Sequence, residues 1–224
     1  MTFEYNIYDI INNQFFNMPI NITHSITNNC IKIKITCPNS EIIYSPYIMF
    51  DIYPHYMLIH YIQKYNNISG TKVLHKLIQI AYDLQLKEII LTDVANFKNM
   101  YKIGYFKICC DGISWYNKYG FKSSNYINET EYNNNFIKTN FIEYFSSKLN
   151  NNEYDLAYII NTLNKYIPLI NLNNTISDIY KKIDLYIKCN KYINRDHDII
   201  KLIAFLENII KCDINYDIHL TLTL

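Results

Sequence analysis

The chain has 224 residues, and Asn (31), Ile (42), Tyr (23) and Lys (20) fill more than half of them. Half of the residues are hydrophobic, which excludes a wholly disordered chain, and a chain of this length buries enough surface to need neither disulfide nor metal for its core. The formal charge of +1, from 21 basic and 20 acidic residues, excludes simple polyelectrolyte attraction to nucleic acid or to an anionic membrane.

The Asn/Ile/Lys/Tyr bias is what AT-rich codons produce, as in a protist or a large DNA virus. Much of it therefore reads as drift, and the sequons at Asn21, Asn67 and Asn128 read as chance matches. Met1 to Asn6 shows no basic region leading into an apolar run, so no signal peptide is expected. Charged or amide residues interrupt every apolar stretch, so no membrane span is expected either. The six cysteines form no C-x-x-C pair. They read as reduced, mostly buried thiols in a cytosolic compartment, the host's if the genome is viral.

In chain order, residues 1–65 read as strands with turns. Cys30 to Thr36 alternates apolar with polar positions, the pattern of a half-buried strand. Glu41 to Phe50 and Tyr56 to Gln63 are the next strand candidates, separated at Tyr53-Pro54-His55. From Thr71 the period changes to a helix stripe of Val73, Leu74, Leu77, Ile78, Ala81 and Leu84, entered through Ser69-Gly70-Thr71. Glu88 to Val94 is apolar enough for a strand buried on both faces. All four glycines, Gly70, Gly104, Gly112 and Gly120, fall in this middle section, either as ordinary turns or where special backbone geometry is needed.

Residues 123–152 are rich in Asn and Ser and read as a long loop or linker. Three helix stripes follow. Leu156, Ile159, Ile160, Leu163 and Ile167 form the first. Thr175-Ile176-Ser177-Asp178 has the form of a capping box and opens the second. Asp196 or Asp198 opens the third. The last eleven residues alternate strictly, as a half-buried strand that must pair with a sheet elsewhere.

Two segments carry chemistry. Tyr65-Asn66-Asn67-Ile68-Ser69-Gly70-Thr71-Lys72 lies between a strand and a helix. Trp115-Tyr116-Asn117-Lys118-Tyr119-Gly120-Phe121 is an aromatic-Tyr-x-x-x-Gly-Phe sequence. Together they resemble the GNAT superfamily of N-acetyltransferases over roughly residues 56–124. The resemblance implies an α/β (α+β) fold: a GNAT-like, mostly antiparallel mixed sheet with helices over residues 1–130, and a helical extension over 131–224 that ends in a strand. It implies acetyl-CoA as cofactor and an amine as acceptor. Ile68, Ser69, Gly70, Thr71 and Lys72 would hold the pyrophosphate, where backbone N–H groups and the helix dipole favour an anion. Tyr116 would protonate the departing thiolate, and in the helix-to-strand motif it precedes a glycine stop. His60 and Asp93, on the flanking strands, are the candidates for general base.

Ile68 and Tyr65 stand where the family places a glycine and Arg or Gln. They favour a second reading, a catalytically inactive GNAT-like binding or structural module that meets a protein partner through its C-terminal helices. Gly112-Ile113-Ser114-Trp115-Tyr116 lacks the closing glycine of a nucleophile elbow. Cys109-Cys110 and Asp196-His197-Asp198 lack zinc spacing. A nucleic-acid ligand is not expected, because Arg195 is the only arginine.

Overall fold

The structure, a computed structural model, describes residues 2–15, 20–27, 30–36, 48–62, 69–97, 99–150, 153–168, 170–171, 173–190, 192–194 and 197–224. It divides into two compact units, residues 1–92 with 219–224, and residues 93–218.

The first unit opens with a helix, α1 (Thr2–Phe15), where strands were expected. Ile7, Ile11 and Phe15 recur every four residues and are all buried, so a helical period explains what the overall apolar content masked. Strands β1 (Asn21–Ile26), β2 (Ile31–Thr36), β3 (Ile48–Ile52) and β4 (Tyr56–Ile62) follow, then helix α2 (Gly70–Asp83) and strand β5 (Glu88–Thr92). The chain returns at its end with β8 (His219–Thr223). The sheet runs β1-β2-β3-β4-β5-β8. Only β4 and β5 are parallel, and every other neighbour is antiparallel.

The expected alternation in β2 is present: Ile31, Ile33 and Ile35 are buried, and Lys32 between them is exposed. They lie across from Ile52, Phe50 and Ile48 of β3. Helix α2 buries Val73, Leu74, Leu77, Ile80 and Ala81 and packs on β4 and β5. Burying five such side chains stabilises the layer by several kcal/mol, at about 1.5–3 kcal/mol for each large one. The Lys76 ammonium donates to the Gln14 carbonyl and ties α2 to α1. Strand β5 is buried on one face only, through Ile89 and Leu91, while Glu88, Ile90 and Thr92 are half-buried. Of the alternating C-terminal residues, only His219–Thr223 forms the strand, paired antiparallel to β5.

The second unit holds a short ladder, β6 (Asn96–Phe97) with β7 (Tyr101–Lys102). Helices α3 (Ile103–Asp111), α4 (Tyr126–Phe136), α5 (Phe141–Lys148), α6 (Glu153–Tyr166), α7 (Ile176–Cys189) and α8 (Asp198–Ile210) follow. Its core joins Phe106 and Cys109 of α3 to Phe141, Phe145, Tyr180, Ile183, Ile203 and Leu206.

Helices α4 and α5 replace the expected loop over 123–152. Asparagine builds structure here. The Asn140 side chain accepts from the Glu143 N–H at 3.0 Å and caps α5. Buried Asn133 donates to the Asn215 carbonyl at 2.7 Å and accepts its N–H at 3.1 Å, so this polar helical residue holds the C-terminal segment in place. The segment after Gly120 also departs from the helix-to-strand expectation: Tyr116–Tyr119 is one turn of 3-10 helix, and the chain then leads into α4. Gly120 adopts φ +90°, a left-handed stop that a Cβ disfavours.

The expected capping box is formed. Thr175 accepts from the Asp178 N–H at 3.2 Å, and Asp178 accepts from the Thr175 N–H at 3.3 Å. Thr175→Ala should cost about 1 kcal/mol, a fall in midpoint of roughly 2–4 °C in a thermal melt. An unchanged melt would show that the cap contributes nothing measurable.

Candidate functional site

Each unit carries a cluster of predicted site residues. In the first, Ser69 is the N-cap of α2, in extended conformation, and its side chain accepts from the Lys72 N–H at 3.3 Å. The first turn of α2 contains no acidic residue, and exposed Lys72 adds positive charge there. An anion therefore fits this terminus: the helix dipole and the ammonium both attract it, and no carboxylate in the turn repels it. Gly70 and Thr71 begin the helix directly after the cap. Ile68 lies outside the described residues.

His60 sits on β4 next to this turn in sequence. The β3–β4 ladder pairs Met49 with Tyr61 and Phe50 with Ile59, a register shift that leaves His60 as the extra residue. A bulge of this kind re-aims a side chain. His60 Nε2 lies 3.0 Å from Oδ2 of Asp51, whose side chain is only 9% exposed, while the His60 side chain keeps about a third of its surface open at 34%. Asp51 is a functional candidate that sequence reading missed. Asp51 pairs with Leu58 of β4, two residues before His60, so the β3–β4 register sets both side chains on the face opposite Phe50. The parallel β4–β5 pairing ends at Ile59 with Leu91, whereas β4 runs on to Ile62.

In the second unit, Asp93 and Tyr116 converge. Asp93 is 4% exposed. Its N–H donates to the Ile218 carbonyl at 2.8 Å, its Oδ1 accepts from the Ala95 N–H at 3.3 Å, and its Oδ2 accepts the hydroxyl proton of Tyr216. Burial raises the Asp93 carboxyl above the usual range, against the lowering effect of the Tyr216 and Ala95 hydrogen bonds. Tyr116 is buried, and desolvation, then the negative charge of Asp93, push its phenol well above the ordinary value. Burial and then Asp93 do the same to Tyr216, while buried Ser114 lies in hydrogen-bonding reach of that phenol and opposes the rise. Tyr116 rests edge-on against Trp115 and Phe121. Both phenols therefore hold their protons at neutral pH. Tyr216 and Ser114 were not singled out as site residues. Tyr216 lay hidden in the C-terminal alternation, and no local signal pairs it with Asp93, 123 residues away.

The structure thus brings together two of the three predicted catalytic residues, Tyr116 and Asp93, in the second unit. His60 and the turn from Ser69 to Lys72 belong to the first. Of the cysteines, Cys30, Cys109 and Cys110 are buried, Cys189 and Cys212 are exposed, and Cys37 lies outside the described residues. Among the described residues no group of three His, Cys, Asp or Glu could hold a metal ion, and no helix is long and apolar enough to cross a membrane. No protein-family model, curated protein or solved structure matches the chain.

Gly104 makes the Asp93 cluster possible. A Cβ there would lie 2.9 Å from the Tyr216 ring and 3.0 Å from Asp93 Oδ2. Gly104→Ala should destabilise the protein by about 1–3 kcal/mol, the usual cost of overpacking, read as a lower urea midpoint at unchanged m. The raised Asp93 carboxyl has its own signature. A carboxyl whose folded pKa lies above its unfolded value adds stability below the unfolded pKa and loses it as pH rises through the folded one. The stability of wild type relative to Asp93→Asn should therefore fall as pH rises from 3 towards 7. A difference that is flat or rises over that range in urea titrations contradicts the assignment.

Proposed function

We propose that this chain is an acetyl-CoA-dependent N-acyltransferase. The observation that carries the reading is the sequence of strand β4, Ser69-capped helix α2 and parallel strand β5, with an anion-favouring first turn and β4–β5 pairing that ends at Ile59–Leu91. This order is what the resemblance to the GNAT N-acetyltransferases asks of a cofactor site, and it supports that resemblance. Ser69, Gly70, Thr71 and Lys72 would hold the pyrophosphate, with the helix dipole and the Lys72 ammonium as the attractive terms. Acetyl-CoA supplies an acyl group already activated as a thioester. His60, 3.0 Å from Asp51 and about a third exposed at 34%, would take a proton from the amine.

A second reading, a GNAT-like module without catalysis, is favoured by one observation. Tyr116 and Asp93 are both buried, and Asp93 is already satisfied by Tyr216 and Ala95. Such a cluster also serves as plain structural packing.

Thermal unfolding with and without acetyl-CoA separates the two. A ligand at about 100 times its dissociation constant adds roughly 2.7 kcal/mol, or roughly 5–11 °C in midpoint at this chain length. Lys72→Glu should reduce that shift by placing a negative charge at the anion end of α2. No shift at millimolar acetyl-CoA leaves the non-catalytic reading. Given a shift, Tyr116→Phe tests the phenol: lost turnover with the shift intact assigns it to the reaction, and unchanged turnover assigns it to packing.

A further inference from the structure

The sheet of the first unit carries a second polar feature on the face away from Ile33 and Phe50. Strand pairing sets Ser25 opposite Lys32 and Lys32 opposite Asp51, with Thr23 opposite Lys34 alongside. Side chains alternate across a strand, so these five share one face. His60, two residues after the Leu58 that pairs with Asp51, lies on the same face, 3.0 Å from Asp51. Together Thr23, Ser25, Lys32, Lys34, Asp51 and His60 line a groove of about 450 Å³, within the size range of small-molecule sites.

The charges in this groove are arranged unequally. Asp51 is buried, and its carboxylate lies 3.0 Å from His60 Nε2. Neither Lys32 nor Lys34 forms an ion pair with a described residue, although Lys32 lies directly across the ladder from Asp51. The groove therefore offers two uncommitted ammonium groups at one end. At the other it offers an imidazole whose Nε2 edge is occupied by a carboxylate. When Nε2 holds the ring proton for Asp51, Nδ1 carries the lone pair.

We propose that this groove binds the acceptor of the transfer reaction, and that the acceptor is a small primary amine that also bears an anionic group, a carboxylate or a phosphate. Lys32 and Lys34 hold the anionic group by charge and hydrogen bonding. His60 Nδ1 takes one proton from the ammonium form of the amine, which leaves a neutral nitrogen with its lone pair free and the proton on the imidazole beside Asp51. Asp51 is a positioning residue that acts through His60. The term acceptor rests on the acyltransferase reading, whereas the binding preference does not.

The test uses the full chain without acetyl-CoA. Binding of O-phosphoethanolamine, β-alanine and ethanolamine is measured by NMR titration of the Lys32 and Lys34 amides. The two anionic amines should bind at least about tenfold tighter than ethanolamine, a difference of about 1.4 kcal/mol. Lys32→Gln with Lys34→Gln should remove the preference, and a thermal melt confirms that the variant is folded. Equal affinity for the three probes, or a preference that survives the double substitution, overturns the proposal. For Asp51, long-range ¹⁵N–¹H spectra of the neutral imidazole should show Nε2 protonated in the wild type and a mixture of tautomers in Asp51→Asn. An unchanged tautomer removes Asp51 from its positioning role. A probe preference without any acetyl-CoA shift keeps the groove and overturns the acyltransferase reading, and a shift without a preference does the reverse.

Discussion

Strand β5 pairs parallel with β4 on one side and antiparallel with β8 on the other. A parallel neighbour cannot be reached by a hairpin, so the chain needs a crossover, and α2 supplies it. The helix must bury its apolar stripe against the sheet that it crosses, and Val73, Leu74, Leu77, Ile80 and Ala81 do so. That requirement also puts α2 in the chain between β4, which carries His60, and β5. The Ser69-capped end of α2, with no acidic residue in its first turn, is thus a by-product of making two strands parallel.

The antiparallel side of β5 imposes a different condition. The chain leaves the sheet at Thr92 and comes back at His219, and the intervening residues fold as a unit with their own core. Asp93 and Ile218 are joined by a backbone hydrogen bond at the two ends of that excursion. Asp93 and Tyr216 close it with a side-chain bond, and Gly104 leaves the space for both. A buried carboxylate in this position is costly unless it is hydrogen-bonded. The same bonds that satisfy Asp93 therefore bind the C-terminal segment to the start of the unit. The β3–β4 register follows a similar logic on a smaller scale: it sets a strand histidine beside a buried aspartate.

Much of this was legible along the chain. The period of β2, the stripe of α2 with its Ser69 cap, the Thr175 capping box and the need for a C-terminal strand all depend on interactions between residues a few positions apart, and local pattern reports these faithfully. Tyr116 and Asp93 were singled out separately, yet only the fold sets them around Tyr216. The failures share a cause as well. Helix α1 was hidden by apolar residues so abundant that their spacing lost contrast, and α4 and α5 were hidden by asparagine, whose preference for turns was overridden by the cap at Asn140 and the tether at Asn133.

The sequence by itself determined the local elements with strong periodicity, their caps and stops, and the residue types available for chemistry, because each of these is settled by neighbours within a few positions. Only the tertiary structure decided which of those residues meet. The contact of Asp51 with His60 and the shared face of Lys32, Lys34 and Asp51 depend on strand register, and the contact of Asp93 with Tyr216 depends on the return of the chain 123 residues later. Register is set by how whole strands bury their apolar faces against one another, and a shift of one residue would send the strand side chains Lys32, Lys34, Asp51 and His60 to the opposite side.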